Sequence, residues 1–325
     1  MLDSFNAILT PMLMLFLCIV IGFVLGKTKI MSDDSAKTVA NLETWVFCPA
    51  LSFITMAKCF TAETLTTHAE NMSFALVLLA IAMPIGILLA RLLIKTPCYE
   101  RNIYTYVLIF GNYSYLGEPL VREIFGEQML SNFKLFCLPI TIVVFMWGVG
   151  LFIPKGNGKG GSLKAFLNPT TIGLFLGMAT GITGLGGMLP AFLTGTLNSL
   201  SNCMGPVGMI LLGLTISSYN VKEILLEKKL YIATILRLII LPAVIIPALF
   251  GIKELANLVL NLSISNEVLT YAFFIVSTPH GMNTIVFPKS YGGDPRPGAG
   301  LALISHVLCI VTIPLLFALM KLLFP

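Results

Sequence analysis

A polar stretch, FGNYSYLGEPLVREIFG, occupies residues 110–126, where the surrounding hydropathy requires a helix that crosses a membrane. Proline lacks an N–H and its ring crowds the carbonyl four residues earlier, so Pro119 predicts a break near residues 115–119. Gly117 would let the backbone turn there. Because an unpaired backbone group in hydrocarbon costs several kcal/mol, such a break survives only where it is buried in protein or lines a watery cavity.

A second polar stretch, STPHGMNTIVFPKSYGG, occupies residues 277–293. Pro279, Gly281 and Pro288 predict interruptions of this span. The second halves of both interrupted spans would then begin near the middle of the membrane, with their helix N-termini facing a shared point. A helix N-terminus carries a partial positive charge and free N–H donors. The two stretches together therefore predict a site for an organic anion, particularly a carboxylate.

The polar and turn-forming residues of these stretches form the candidate site. Asn112 and Asn283 either bind the substrate or cap the ends of broken helices. His280 is a proton carrier, a cation for the substrate, or a hydrogen-bonding group between helices. Glu118 is an intramembrane carboxylate that either takes up a coupled proton or lies near the outer surface, where water solvates it. The predicted substrate-binding residues are Asn112, Tyr115, Gly117, Pro119, Pro279, His280, Asn283 and Thr284, and the predicted coupling residues are Glu118 and His280.

Three further polar side chains fall inside apolar segments. Glu43 is expected to be solvated at the cytosolic interface, and a role in coupling is the alternative. Arg237 is expected to reach the headgroups or to pair internally, and contact with the substrate is the alternative. His306 is expected to be structural.

The composition is that of a membrane protein. The 325 residues are 57% hydrophobic and only 11% charged, and the mean hydropathy is +0.93, unlike any soluble globular domain. Apolar runs of about 18 to 25 residues, each long enough to cross about 30 Å of hydrocarbon as a helix, recur along the chain. We predict ten spans, at residues 7–26, 36–57, 72–94, 103–126, 132–153, 169–187, 190–218, 230–251, 268–288 and 298–323.

The basic residues predict the orientation of these spans. Of the 20 Lys and Arg residues, 14 lie in one alternating set of connections and five in the other set, which includes both termini; Arg237 lies within a span. Because cytoplasmic loops carry the excess of Lys and Arg, both termini are predicted to lie outside the plasma membrane. The same rule accounts for the net charge of +5, so no nucleic-acid partner is expected.

The two halves of the chain carry matching features. Asn41 and Pro49 in span two have the same eight-residue spacing as Asn198 and Pro206 in span seven, and spans four and nine each end at a glycine. Five spans followed by five must be inserted in opposite orientations, and inverted repeats of this kind are common in secondary transporters, whose ligand site lies where matching broken helices meet. The glycines that close spans four and nine are Gly126 and Gly292.

The predicted fold class is therefore an all-α polytopic membrane protein. Its ten transmembrane helices would form a 5+5 inverted repeat in which the broken helices four and nine cross. The predicted organisation is a first five-helix repeat at residues 1–153, a cytoplasmic loop at residues 154–168, and a second, inverted repeat at residues 169–325.

Short motifs in three spans resemble the auxin efflux carrier family, which includes plant PIN proteins and bacterial malate and malonate permeases. Span four is similar to the family's N-x4-G-x-P-L pattern through Asn112, Gly117, Pro119 and Leu120. The likeness covers the chain end to end in span number, loop spacing and topology. The remaining matches are Pro49 in span two and Pro279, Gly281, Phe287, Lys289 and Tyr291 in span nine.

The resemblance implies a scaffold of spans one, two, six and seven, homodimers formed through that scaffold, and transport by an elevator-like movement of the crossover domain. The sequence departs from the family pattern at Glu118, which stands at a commonly apolar position, at Thr284, where many relatives have proline or a small residue, and at Pro288, where alanine is usual. Bile acid:sodium symporters share a similar crossover fold, which keeps sodium coupling open.

The leading hypothesis is a secondary transporter for a small organic anion, a carboxylate such as malate, malonate or an auxin-like acid, driven by protons or the membrane potential. The alternatives are a sodium-coupled symporter of the bile-acid type and a membrane sensor or channel with the same fold. The sequence contains no HExxH zinc motif, GxSxG elbow or Walker loop, so no enzymatic activity, cofactor or metal is expected. The expected partners are the anion, the lipid bilayer, a coupling proton or sodium ion, and a second copy of the chain.

Overall fold

The computed structural model describes residues 2–154, 168–261 and 264–323. Within these ranges the regular secondary structure is helical, and no β-strand longer than an isolated bridge is formed. Apart from its first and last residues, the loop predicted at residues 154–168 lies outside the described residues.

Seven α-helices and several tighter or wider helical turns form the described part of the chain before that loop. The π-helical turns are Glu43–Phe47, Tyr113–Gly117 and Val144–Gly148, and a 3-10 turn follows at Val149–Phe152. The helices are α1 (Leu2–Lys27), α2 (Asp33–Leu42), α3 (Cys48–Cys59), α4 (Ala62–Thr67), α5 (Ala69–Leu93), α6 (Tyr99–Ile109) and α7 (Glu118–Val143).

Eight α-helices follow in the described residues after the loop. A 3-10 turn lies at Leu185–Met188 and a π-helical turn at Leu236–Ile240. The helices are α8 (Pro169–Ile182), α9 (Ala191–Ser217), α10 (Val221–Leu226), α11 (Lys228–Ile235), α12 (Leu241–Leu260), α13 (Glu267–Val276), α14 (Asn283–Tyr291) and α15 (Arg296–Leu323).

Six helical stretches in the described part of the chain are long and apolar enough to cross a membrane. Large apolar side chains such as Leu92, Leu258 and Leu322 remain exposed on these helices, at 65%, 79% and 78% of their full accessible area. Contact of such surfaces with lipid hydrocarbon carries no free-energy cost, whereas contact with water does. The protein is therefore an all-helical, multi-pass membrane protein, and the count of ten spans stays a prediction. The six stretches are Asp33–Cys59, Ala69–Leu93, Tyr113–Phe152, Ala191–Ser217, Lys228–Leu260 and Arg296–Leu323.

Three prolines inside these spans follow a widened helical turn and do not break the helix. Three of the π-helical turns end two residues before a proline, at Pro49, Pro119 and Pro242. A proline cannot donate to the carbonyl four residues earlier and crowds it, and an extra residue in the preceding turn moves that carbonyl aside. The break predicted near residues 115–119 is therefore wrong, since the backbone is helical across it. Pro288 likewise lies inside α14 and does not interrupt it.

The apolar interior has two parts. The larger core is built mainly from α5, α6, α7, α12, α13 and α15, with buried aromatic rings such as Phe136 and Phe274 at its centre. The smaller core joins α1, α2, α9 and the buried face of α14, and it includes Leu212 and Ile285. The helix that follows the second polar break is thus packed against helices from the beginning and the middle of the chain.

The glycines predicted to close spans four and nine both have positive φ, 83° at Gly126 and 77° at Gly292. At Gly126 ψ is −178°, and residues other than glycine essentially avoid this combination of φ and ψ. It turns the long helical run Tyr113–Phe152 at a point where no neighbouring atom stands within 4 Å of the position that a Cβ would take. The cost of a substitution there comes from the backbone alone.

Replacing Gly126 with alanine is expected to destabilise the protein by about 1–3 kcal/mol. Unfolding of the purified protein in mixed micelles measures this loss. Gly251, in the interior of α12, also has open space around it and no positive φ. Its replacement by alanine is the matched control and should stabilise the protein by about 1 kcal/mol, because glycine is a poor helix former. Equal effects of the two substitutions would contradict this account.

Candidate functional site

The interruption between α6 and the turn before α7 lies against the interruption between α13 and α14. Gly111 and His280 form an antiparallel bridge there. The Asn112 N–H donates to the Pro279 carbonyl at 2.8 Å. Each break thus supplies backbone partners to the other, which is what unwound backbone needs in an apolar surrounding. The sequence located the second break, while the first lies at residues 110–112, before the predicted position.

New helical segments begin directly after both breaks. The turn that leads into α7 starts at Tyr113, and the nine-residue α14 starts at Asn283. The first N–H groups of a helix have no partner within that helix and carry the positive end of its dipole. Two electropositive helix starts therefore lie at the same place in the fold.

A central cavity of about 40 Å³ lies beside these helix starts. This volume admits a few water molecules, but not an organic acid of several carbons, so the cavity is nearly closed in this conformation. Its polar wall comes from both broken helices and from α3 and α6. The lining includes Cys48, Ser52, Tyr106, Asn112, Tyr115 and Asn283.

The Asn112 side chain is oriented by a histidine from α15. The neutral His306 ring donates from Nδ1 to the Ala302 carbonyl at 2.7 Å, which leaves Nε2 as an acceptor 3.0 Å from the Asn112 amide nitrogen. Asn112 must therefore turn its nitrogen towards the ring. Its carboxamide oxygen is buried and has no hydrogen-bond partner among the described residues. Asn112 thus offers the cavity an unused acceptor.

Asn283 is held by a group that does not fix its orientation. Its amide nitrogen lies 2.6 Å from the Tyr106 hydroxyl. A hydroxyl either donates or accepts, so the Asn283 amide keeps its contact in both orientations. The two asparagines therefore differ, because the first is restricted to one orientation and the second adapts to its ligand.

A wide cleft of about 830 Å³ adjoins the central cavity, with which it shares Tyr115, Glu118 and Met204. We call this cleft the vestibule. Its wall carries the basic side chains of Lys58 and Arg122, together with Lys134, which pairs with Glu118 at 3.2 Å. Only 19% of the Glu118 side chain is exposed. Arg122 in turn pairs with Glu127 at 3.0 Å, so the wall carries three cations and two carboxylates, and the remaining net charge of +1 attracts anions towards the central cavity.

Polar contacts close the opposite end of the broken helix pair. At the end of α14, Lys289 pairs with Asp33 at 2.5 Å, and Ser218 also donates to Asp33. The neighbouring Ser290 hydroxyl donates to the Asn41 side-chain oxygen at 2.9 Å. Asp33 begins the span that ends beside the vestibule, so these contacts lie at the other end of that span. In this conformation the protein is open at the vestibule and closed at the Lys289–Asp33 end.

Arg237 holds the two helix ends that precede the breaks. Its guanidinium is 1% exposed and donates to the carbonyls of Ile109, Ile275 and Thr278, at 3.3, 2.5 and 3.4 Å. The last carbonyls of α6 and α13 have no helical partners and carry negative partial charge, which a cation offsets. The prediction that Arg237 pairs internally is confirmed, and it does not line the central cavity.

Several predicted site residues lie beside the central cavity without lining it. The His280 ring is buried 3.4 Å from the Thr234 hydroxyl, and Thr284 donates to the Gly281 carbonyl. Pro119 lines only the vestibule. Of the eight predicted substrate-binding residues, Asn112, Tyr115 and Asn283 line the central cavity, while Gly117, Pro119, Pro279, His280 and Thr284 do not.

Sequence reasoning named two polar residues near this site without identifying what they contact. His306, expected to be structural, orients Asn112. Glu43, expected to be solvated, is fully buried, so that expectation is wrong. Its Oε2 accepts a hydrogen bond from the Tyr115 hydroxyl at 3.4 Å. The only signal in the sequence was the presence of these side chains within apolar runs, which does not reveal what they contact.

Apolar helices surround a polar cavity at the point where two helix breaks meet. This arrangement defines a multi-pass membrane protein with a candidate solute site. The family model described as "Membrane transport protein" matches residues 7–163 and 158–317. The chain is also 24% identical over 310 residues to an uncharacterized transporter of Methanocaldococcus jannaschii, covering 93% of this chain and 96% of the relative. The chain belongs to this family, that of the auxin efflux carriers, and is a membrane transporter. The resemblance found in the sequence is confirmed.

Proposed function

We propose that the protein is a secondary transporter that carries a small organic anion across the plasma membrane. The observation that carries this proposal is the meeting of two helix starts at one polar cavity, where Asn112 and Asn283 line the wall. The positive ends of the two helix dipoles suit a carboxylate. The vestibule beside them has a net charge of +1, from three cations and two carboxylates on its wall, which supports an anionic solute.

The transport cycle in this proposal is an elevator-like movement of the crossing broken helices against a scaffold. Closure at the Lys289–Asp33 end and opening at the vestibule are what one end state of alternating access requires. Ten spans in a 5+5 inverted repeat, with both termini outside, complete the proposed topology. The scaffold would also join two copies of the chain, and protons or the membrane potential would drive transport.

The unused Asn112 oxygen narrows the proposed substrate class. A carboxylate has no donor to offer this oxygen, whereas a hydroxyl or an N–H group on the same molecule does. A buried acceptor left unpaired costs about 1–3 kcal/mol, so a ligand with a donor at that position gains by comparison. We therefore favour a hydroxy acid such as malate, or an acid with an N–H group, over malonate.

Counterflow in proteoliposomes tests this function. Vesicles loaded with unlabelled malate should accumulate labelled malate, the uptake should saturate, and malonate should compete about tenfold less well, as a lost hydrogen bond of about 1.4 kcal/mol predicts. A flux that does not saturate would identify a channel, and binding without flux would identify a sensor. Equal malate uptake with and without sodium in the buffer would exclude sodium-coupled symport.

A further inference from the structure

We propose that Glu43 is a proton-binding site that couples proton movement to the transport cycle. This inference rests on the proposed function, because it assigns the driving ion of that same cycle. It replaces Glu118 and His280 as the coupling residue. The location of the carboxyl group and the groups in contact with it support this assignment.

The Glu43 side chain is sealed inside the protein. It is fully buried in the π-helical turn between α2 and α3. Ten residues separate it from Asp33, so it lies about 15 Å along the span. Oε2 contacts the Tyr115 hydroxyl at 3.4 Å, and Oε1 has no hydrogen-bond partner among the described residues. A carboxyl group with one weak contact and one unpaired oxygen is unusual in an interior.

No described basic residue pairs with Glu43. The titratable groups that face it are the Tyr115 hydroxyl and the Cys48 thiol, neither of which supplies positive charge. The packed helices α8 and α9 offer no basic side chain, Lys37 lies in the middle of α2 but is exposed, and Lys58 lies at the far end of α3. On α14, Tyr291 is a phenol and Lys289 is engaged by Asp33.

These contacts decide the protonation state. Burying an isolated carboxylate costs far more than the hydrogen bond from one hydroxyl returns, so the group gives up its charge by binding a proton. In this conformation the Glu43 side chain is therefore the neutral, protonated acid. Glu118 differs, because its partner Lys134 supplies the opposite charge and both side chains touch the water of the vestibule.

The position of Glu43 links this proton to the transport cycle. Glu43 belongs to the span that runs from Asp33 to Cys59, whereas Tyr115 belongs to the broken helix that carries Asn112. A movement of the broken helix against this span, which closes the vestibule and opens the Lys289–Asp33 end, separates the Tyr115 hydroxyl from Glu43 and lets in water from that opened end. The hydrated carboxylic acid then releases its proton to water and becomes a carboxylate. The packed conformation and the bound proton therefore stabilise each other.

Infrared spectroscopy of the purified protein in lipid tests proton binding without any substrate. At pH 7, where an exposed glutamate is ionised, the wild type should show a protonated-carboxyl band that Glu43→Gln removes. Glu70→Gln, at an exposed glutamate on α5, is the control and should keep the full band. Glutamine has nearly the same shape as the neutral acid and preserves the packing. A band of equal size in Glu43→Gln would overturn the proposal.

Proton uptake with malate as the probe tests coupling. Vesicles containing a pH-sensitive dye should report proton entry with malate, and Glu43→Gln should lower this entry at least tenfold while malate counterflow persists. Proton entry lost in Glu118→Gln and retained in Glu43→Gln would overturn the assignment. If the wild type moves no malate, the proposed substrate fails, and the infrared band alone then decides whether Glu43 holds a proton.

Discussion

Replacement of Asn112 by alanine is expected to weaken the apparent affinity for malate by about tenfold. The substitution removes the acceptor that the substrate hydroxyl would use, and a hydrogen bond between two neutral groups is worth about 1.4 kcal/mol. It also leaves the His306 ring nitrogen without its partner at 3.0 Å. Concentration-dependent counterflow in proteoliposomes measures the change.

The malonate comparison separates binding from a general loss of function. Because malonate offers no hydroxyl to Asn112, its inhibition constant should change less than that of malate in the alanine variant. Asn202→Ala is the matched control, since Asn202 lines the vestibule and not the central cavity. Unchanged malate affinity in Asn112→Ala, with the protein folded, would remove Asn112 from the site.

Replacement of Arg237 by methionine is expected to destabilise the protein by about 2–6 kcal/mol, because it leaves two buried carbonyls unpaired at about 1–3 kcal/mol each. The carbonyls of Ile109 and Thr278 would lose the guanidinium donor inside the protein, whereas the Ile275 carbonyl would keep the hydrogen bond from the Thr278 hydroxyl. Methionine fills much of the same volume, so the loss reports the guanidinium group. Chemical unfolding in mixed micelles measures the free energy of unfolding.

Two further variants make this prediction specific. Arg91→Met removes an exposed arginine from the end of α5 and should change stability by less than about 0.5 kcal/mol. Arg237→Lys should fall between the wild type and methionine, because a lysine cannot reproduce the planar fork that reaches all three carbonyls. A methionine variant as stable as the wild type would show that water or other groups satisfy these carbonyls.

The two glutamates show how far a single sequence reaches. Glu43 and Glu118 both occur in apolar runs, and composition alone marks both as costly to bury. The sequence ranked Glu118 as the coupling residue, yet Glu118 has Lys134 as a partner and Glu43 has no described cation. Which carboxyl finds a cation depends on helices distant in the chain, and no local pattern encodes that.

The breaks show a second boundary between sequence and structure. The sequence identified both interrupted segments, because glycine, proline and amide side chains are conspicuous in apolar runs. It misplaced the first break, because Pro119 is absorbed by a widened turn while the unwound residues are stabilised by pairing with Pro279 and His280. That pairing joins segments more than 160 residues apart.

The amino-acid sequence was sufficient to establish an all-helical membrane protein of the auxin efflux carrier family, because hydropathy and short motifs are local properties of the chain. Which polar side chains face each other became known only from the folded arrangement of the helices. That arrangement brings His306 to Asn112, Arg237 to the ends of two helices, and Glu43 into a sealed site beside Tyr115. Hydrogen bonding and charge pairing act over a few ångströms in space, whatever the separation along the chain, so a one-dimensional pattern does not report them.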